Sequence, residues 1–238
     1  MKIACLIPAL NERESIGRVI AGLPQSVSRV IVADNGSRDG TPEVARAAGA
    51  EVVFENHRGY GSACLRGIAH LRAQPPDVLI FIDGDFSDHP DEMPALVDPI
   101  VRGDADLVIG SRVRGQRDPG ALLPQAIFGN WLATSLIGWL FGFRYTDLGP
   151  FRAIRFQRLL DLEMDDRDFG WTVQMQVRAL VRGLRVHEVP VKYRRRIGKS
   201  KISGTVIGSF RAGTVILRTI WQEWRLARRR HLAGGGGS

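Results

Sequence analysis

Two cysteines in 238 residues, Cys5 and Cys64, are too few for a disulfide framework, and neither stands at metal-ligand spacing. A reducing cytoplasm is the compartment expected for such a chain. No secretory leader is visible, because Met1-Lys2 runs straight into a strand-like segment that breaks at Pro8. Residues 8–14 contain no glycine, which argues against the Gly-rich phosphate loop that opens a nucleotidyltransferase. The turn Asn56-His57-Arg58-Gly59-Tyr60-Gly61-Ser62 matches neither a Walker loop nor a GxGxxG fingerprint. Few aromatics alternate with the basic residues of 192–201, so a nucleic-acid surface is not expected.

At 44% hydrophobic, the chain can bury the core of one large domain with an appended element. Its net charge of +8 is unevenly placed. From Arg178 to His231 there are fifteen Lys/Arg against only Glu188 and Glu223, whereas the rest holds 18 basic and 23 acidic residues. A mildly acidic body thus carries a strongly basic final quarter, and basic ends of this kind meet phosphates. Residues 233–238 read as a flexible Gly/Ser tail outside the fold.

Short apolar runs alternate with helix-like stretches through the first half. Strands are expected at 3–7, 30–33, 51–54, 78–82 and 107–109, with helices at 11–23, 41–48 and 62–72 between them. The strands show little polar alternation, which implies an α/β fold whose Rossmann-like, mostly parallel sheet is covered on both faces. In such sheets ligands bind beyond the carboxyl ends of the strands. Polar clusters at Asn11, Asp34 and Asp83 each fall where a strand ends. Further strands are expected at 151–154 and 186–191, with a helix over 171–182.

The run 121–143 is long enough to raise the question of a bilayer span, but Pro124, Gln125, Gly129 and Asn130 break it. An interfacial or partly buried helix is the reading. Residues 1–204 then form the catalytic domain, and 205–232 a basic amphipathic helix. On that helix Val206, Phe210, Leu217, Trp221 and Trp224 share one face, while Arg211, Arg218 and Arg225 recur on another. Indole and guanidinium groups together suit an anionic membrane surface.

Asp83-Gly84-Asp85 carries the chemistry. Two carboxylates at i and i+2 leaving a buried strand face one cleft, and like charges so close persist when a cation lies between them. Oxygen-only ligands favour Mg²⁺ or Mn²⁺ over zinc. Asp34-Asn35-Gly36-Ser37 ends a second strand; its Asp34 offers acceptors to a base or ribose, and an ordinary Asx turn is the bland alternative. Thr41 is read as the cap of the following helix and Asn11 as the cap of the first. The turn at 56–62 is read as placing backbone N–H groups and Arg58 near a phosphate.

Taken together, Pro8–Glu12, Asp34–Thr41, Asp83–Asp85, Gly110–Arg112, Asp147–Arg152 and Arg195–Lys201 resemble the family-2 glycosyltransferases of the GT-A fold. Within that family the set is similar to the dolichol-phosphate mannose synthase type, over roughly residues 2–210. The resemblance implies that Pro8, Leu10, Glu12 and Asp34 cradle the base and ribose of a nucleotide-diphosphate sugar, and Asn35 and Gly59 are further substrate-binding candidates. It implies Asp83 and Asp85 as ligands of Mg²⁺ or Mn²⁺, with Ser87 a lesser third. Arg112, Arg195, Ser200 and Lys201 would hold the donor diphosphate or an acceptor phosphate. Asp85, Arg112 and Asp147 are the catalytic candidates, and Gln174 a substrate-binding one.

The chain departs from that pattern twice. Relatives carry an arginine before Asn130 where 122–129 has none, so Arg114, Arg117 or the Arg194–Arg196 cluster is expected to take its place. Relatives also have a Glu on the helix around 172–177, where this chain has Val173-Gln174-Met175-Gln176. A phosphate acceptor needs no base, because its second pKa is about 6. A hydroxyl acceptor does need one, with Asp147 or Asp168 as candidates. The expected activity is therefore metal-dependent, inverting transfer of a hexose from a UDP-glucose or GDP-mannose class donor to a polyprenyl phosphate or other phosphate-bearing acceptor. It would occur on the cytoplasmic membrane face. A member that binds the donor without turning it over is the competing reading, because of Gln174.

Overall fold

The computed structural model describes residues 1–198 and 206–234, with side chains of the final helix described over 213–229. Chain order is β1 (Ile3–Ala9), α1 (Arg13–Ala21), β2 (Val27–Asp34), α2 (Thr41–Ala47), β3 (Glu51–Phe54), α3 (Tyr60–Leu71), β4 (Val78–Phe81), α4 (Met93–Val101) and β5 (Leu107–Ser111). There follow α5 (Pro124–Phe141), β6 (Arg152–Arg155), α6 (Phe156–Asp161), α7 (Trp171–Val181), β7 (Val186–Pro190) and α8 (Val206–Gly234).

The strands form a seven-stranded sheet in the order β3-β2-β1-β4-β6-β5-β7. All neighbours run parallel except β6, which is antiparallel to both β4 and β5. Alternate residues of β1 feed opposite cores. Ala4 and Leu6 meet Ile68 of α3 and Trp171 of α7, while Cys5 and Ile7 meet Ile16 of α1 and Leu96 of α4. Both faces are covered, as the unalternating strands imply. From β1 the chain winds outward to β3 and then returns to β4 on the other side of β1. The crevice at that reversal is where an open α/β sheet binds ligands.

Two helices, α4 and α6, are absent from the sequence-based expectation. Pro94 and Pro99 break up the pattern of α4, yet Pro94 sits in the first turn, where a missing N–H costs nothing. Asn11 is not the cap of α1. It takes a positive φ of 51°, Glu12 holds the cap position, and Asn11 Oδ1 accepts from Arg38 N at 2.8 Å. Thr41 likewise lies inside α2, with Gly40 at the cap, and its hydroxyl accepts from Glu12 N at 2.8 Å. These side chains staple the turn after β1 to the turn after β2, instead of capping helices.

Helix α5 lies within the expected 121–143 segment, and among the described residues no helix is long and apolar enough to cross a membrane. It packs on α8, which also packs on α7. The inner face of α8 carries Thr219, Ile220 and Glu223, whereas Trp221 is half exposed. Glu223 is drawn inward because Arg178 and Gln174 of α7 both donate to it. Val206, Phe210 and Arg211 lie outside the described side chains.

Candidate functional site

A cavity of about 350 Å³ opens over the carboxyl ends of β1, β2 and β4. Pro8, Ala9, Leu10 and Glu12 form one wall, Asn35, Arg58, Gly59 and Tyr60 another, and Asp83, Gly84 and Asp85 the floor, with Asp168, Phe169 and Arg196 at the rim. Three strand ends recognised in the sequence thus meet in one place.

The second wall is held by backbone contacts. Asn35 Nδ2 donates to Glu55 O and His57 O, and its Oδ1 accepts from Gly59 N at 2.8 Å. Gly59 has φ 144°, and a Cβ there would lie 2.0 Å from Arg167 O, so the close approach of loop 165–169 requires glycine. Ser62 N donates to Arg167 O. The N–H groups of Gly59 and Ser62 are therefore already committed, which corrects the reading of this turn as an open cradle for phosphate; Arg58 still reaches the cavity. Asp34 does make the bland Asx turn, its Oδ2 accepting from Gly36 N and Ser37 N. Its Oδ1 is buried and finds no partner among the described residues, and Asp34, unlike Asn35, is not part of the cavity lining.

Burial and the neighbouring Asp85 push the Asp83 carboxyl well above the usual carboxylate range, against a 3.2 Å hydrogen bond from the Tyr60 hydroxyl. Asp85 Oδ1 accepts from Ser87 N and from the Ser87 hydroxyl, so Ser87 braces Asp85. Asp85 Oδ2 faces Arg196 Nη1 at 3.3 Å. Two crowded carboxylates opening on a cavity, one of them raised by burial and by the other's charge, fit a hard divalent cation completed by ligand oxygens and water. Among the described residues, no three acidic, His or Cys side chains converge to hold a metal without such help. Close by, Asp88 is buried with neither oxygen hydrogen-bonded to a described residue, and burial with Asp83 and Asp85 raises its carboxyl as well.

Arg112 and Asp147 stand together but outside the cavity lining. Asp147 is fully buried and accepts from Arg112 N, Nε and Nη2 at 2.7, 2.8 and 2.7 Å, a bidentate pair closed by a backbone bond. Arg152, also buried, donates to the carbonyls of Leu148, Gly149 and Thr172 and fixes the loop between α5 and β6. Gln174 is likewise away from the cavity. Its amide binds Asp165 and Glu223, and its Oε1 accepts from the backbone of Asp165 and Asp166. Gln176 donates to Asp147 O.

Of the arginine cluster, Arg195 binds Pro119 O and Asp118, Arg194 lies 3.4 Å from the Phe86 ring centroid, and Arg196 alone reaches the cavity. Arg114 is spent on Glu188 O. Ser200 and Lys201 lie outside the described residues. Tyr60 and Phe169 line the site without having been singled out, and Arg196 was named only within the Arg194–Arg196 cluster. Tyr60 had a signal, as the first residue of a helix after a Gly-rich turn, but Arg196 is indistinguishable in sequence from its two neighbours.

Known proteins resemble this chain in sequence and in fold. The chain is 39% identical over 217 residues to an uncharacterized glycosyltransferase of Mycobacterium tuberculosis, covering 87% of this chain and 92% of that one. It is 33% identical over 230 residues to an undecaprenyl-phosphate mannosyltransferase of Micrococcus luteus, covering 87% and 90%. The fold superposes with a TM-score of 0.74 on Mycobacterium tuberculosis glucosyl-3-phosphoglycerate synthase, crystallised with Mn²⁺, UDP and glucosyl-3-phosphoglycerate, at 23% identity over 93% of this chain and 79% of that one. That structural likeness agrees with the GT-A architecture expected from the motifs. Residues 4–162, which build the sheet from β1 through β6 and the whole acid floor, match the model of glycosyl transferase family 2, and the chain belongs to that family as a glycosyltransferase.

Proposed function

We propose that the cavity binds a nucleoside-diphosphate hexose, of the UDP-glucose or GDP-mannose class, and passes the sugar with inversion to a polyprenyl phosphate or similar phosphate-bearing acceptor. The observation that carries this reading is the convergence of Glu12, Asn35, Asp83 and Asp85 on one cavity at the sheet's reversal point. The curated relative from Micrococcus luteus, named for an undecaprenyl-phosphate acceptor, supports the acceptor class.

In this reading Pro8 and Leu10 form an apolar wall for the base, and Asp34 shapes the neighbouring turn through its bonds from Gly36 N and Ser37 N. Asp83 and Asp85 would hold Mg²⁺ or Mn²⁺, whose charge would stabilise the departing nucleoside diphosphate. Arg58 and Arg196 bring positive charge to the same space. An acceptor phosphate, already ionised at neutral pH, needs only placement in line with the anomeric carbon. Asp147 suits that requirement badly as a base, because Arg112 already claims both its oxygens.

A membrane-bound acceptor also fits the outer surface. Helix α5 exposes Phe128, Trp131 and Trp139, the last 80% accessible, beside the stacked Trp221–Trp224 pair of α8 with Arg228 over Trp224. Asn130 on α5 donates to Thr146 O and accepts from Leu148 N, linking this surface to the loop before β6.

Turnover with UDP- and GDP-hexoses, a short polyprenyl phosphate and Mn²⁺ is the test; sugar transfer to the lipid phosphate is expected, and no transfer from any donor would refute it. Flotation with anionic liposomes checks the surface: binding should fall when the anionic lipid is removed. A hydroxyl acceptor is the second reading, because Asp168 lines the cavity. Transfer to a hydroxyl compound that is lost in Asp168→Asn would select it.

A further inference from the structure

The segment 192–198 lies as a strap along the loop that follows Asp85. Tyr193 pairs with Asp88, Arg194 N donates to Ser87 O, and Ile197 N donates to Asp85 O at 3.0 Å. The Arg194 guanidinium covers the Phe86 ring and donates to Phe86 O and Asp88 O. The strap is thus docked by backbone bonds and by Arg194, independently of the side chain of Arg196.

Arg196 points differently from both neighbours. Its Nη1 lies 3.3 Å from Asp85 Oδ2 and its Nη2 3.1 Å from Glu12 Oε1. Its Nε is buried and meets no acceptor among the described residues. Asp85 Oδ1 is tied to Ser87, and Asp83 Oδ1 accepts from Tyr60. The Asp85 oxygen that Ser87 leaves open is therefore the one that Arg196 holds. An ion drawn to the acid floor meets a guanidinium already there.

We propose that Arg196 is the resident counter-cation of the acid pair and competes with the divalent ion for Asp85. This rests on the reading of Asp83 and Asp85 as the ion's ligands. A free divalent ion must displace the guanidinium and meets its repulsion, whereas an ion arriving with a diphosphate brings anionic oxygens to which the freed guanidinium can turn. Because the strap is held elsewhere, the exchange needs only a side-chain movement. The consequence is that the site discriminates against the bare ion and favours the ion–diphosphate pair.

The test is Mn²⁺ binding without nucleotide, read from the free-ion electron paramagnetic resonance signal, with melting curves to confirm folding. Arg196→Gln removes the charge and should tighten Mn²⁺ by roughly fivefold or more, the lower end of ordinary coupling between sites. Arg196→Lys keeps a charge and should stay close to the parent. Mn²⁺ bound by Arg196→Gln no more tightly than by the parent would overturn the proposal while leaving the ion site intact. No Mn²⁺ binding by any of the three proteins would instead remove the ion site itself.

A measurement on the unaltered protein avoids the variants. The Arg196 Nε–H resonance, followed during Mg²⁺ titration, should shift as the guanidinium leaves Asp85. A resonance that stays put at saturating Mg²⁺ would overturn the proposal as well.

Discussion

Asp147, in the loop before β6, and the pair Asp83 and Asp85, after β4, are acids treated in opposite ways. Asp147 is wholly buried and answered at every turn by Arg112, through two guanidinium bonds and one backbone bond. Asp83 and Asp85 crowd each other on the floor of a cavity, and burial together with the Asp85 charge raises the Asp83 carboxyl. The first arrangement is complete as it stands. The second is left with an electrostatic debt that a bound cation removes. Both look alike in sequence, as an Asp within two residues of a glycine, and only their surroundings separate a structural acid from one poised for a ligand.

The sharpest way to break this comparison is to neutralise each acid and read stability. Asp147→Asn leaves Arg112 buried without its counter-charge and should cost about 3–5 kcal/mol in denaturant unfolding. Asp83→Asn should leave the ligand-free protein as stable as before, or more so, because it removes repulsion. Equal losses from the two would erase the distinction.

Next in size is Gly59→Ala. Its Cβ would meet the Arg167 carbonyl at 2.0 Å, so the turn or loop 165–169 must shift, at roughly 1–3 kcal/mol. The wall of the cavity would move with it, and nucleotide affinity should fall alongside melting temperature.

Gln174→Glu puts an acid on α7, in the 172–177 run where the family resemblance leads one to expect it. Here the amide donates to Asp165 and Glu223, and a carboxylate would face both as a like charge. A loss of about 1–3 kcal/mol is expected with no gain in turnover. A gain in turnover would mean that Gln174 acts on substrate and that the chain had lost an acid it needed.

The smallest effect belongs to the surface. The Arg29 hydrogen bond holds the exposed Glu51 carboxyl down at about 2, with His70 adding to it. Its contribution is present above the unfolded carboxylate pKa and is lost as pH falls towards 2. Solvent screening limits Glu51→Gln to about 0–1 kcal/mol.

The sequence made the strand ends legible because a parallel sheet buried on both faces writes its strands as apolar runs and its ligand contacts as the polar residues that stop them. Pro8, Leu10, Glu12, Asn35, Asp83 and Asp85 were found in that way, and all line the cavity. The direction of β6 was not legible, since an apolar run has no polarity. Helix α4 was hidden by Pro99, which the helix accommodates. Asn11 and Thr41 were misread as caps because their hydrogen bonds run between the turns after β1 and β2, a pairing that exists only once the sheet has formed. Arg196 escaped for a related reason: which of three adjacent arginines turns inward depends on how the strap docks on Asp85 and Ser87.

The central claim is that Asp83 and Asp85 grip a divalent ion together with a diphosphate. Calorimetric titration of UDP and GDP, with and without Mn²⁺, into the parent and into Asp83→Ala and Asp85→Ala tests it most directly. Nucleotide binding that Mn²⁺ strengthens in the parent and in neither variant is the predicted result. Variants that hold nucleotide and Mn²⁺ as firmly as the parent would contradict the account.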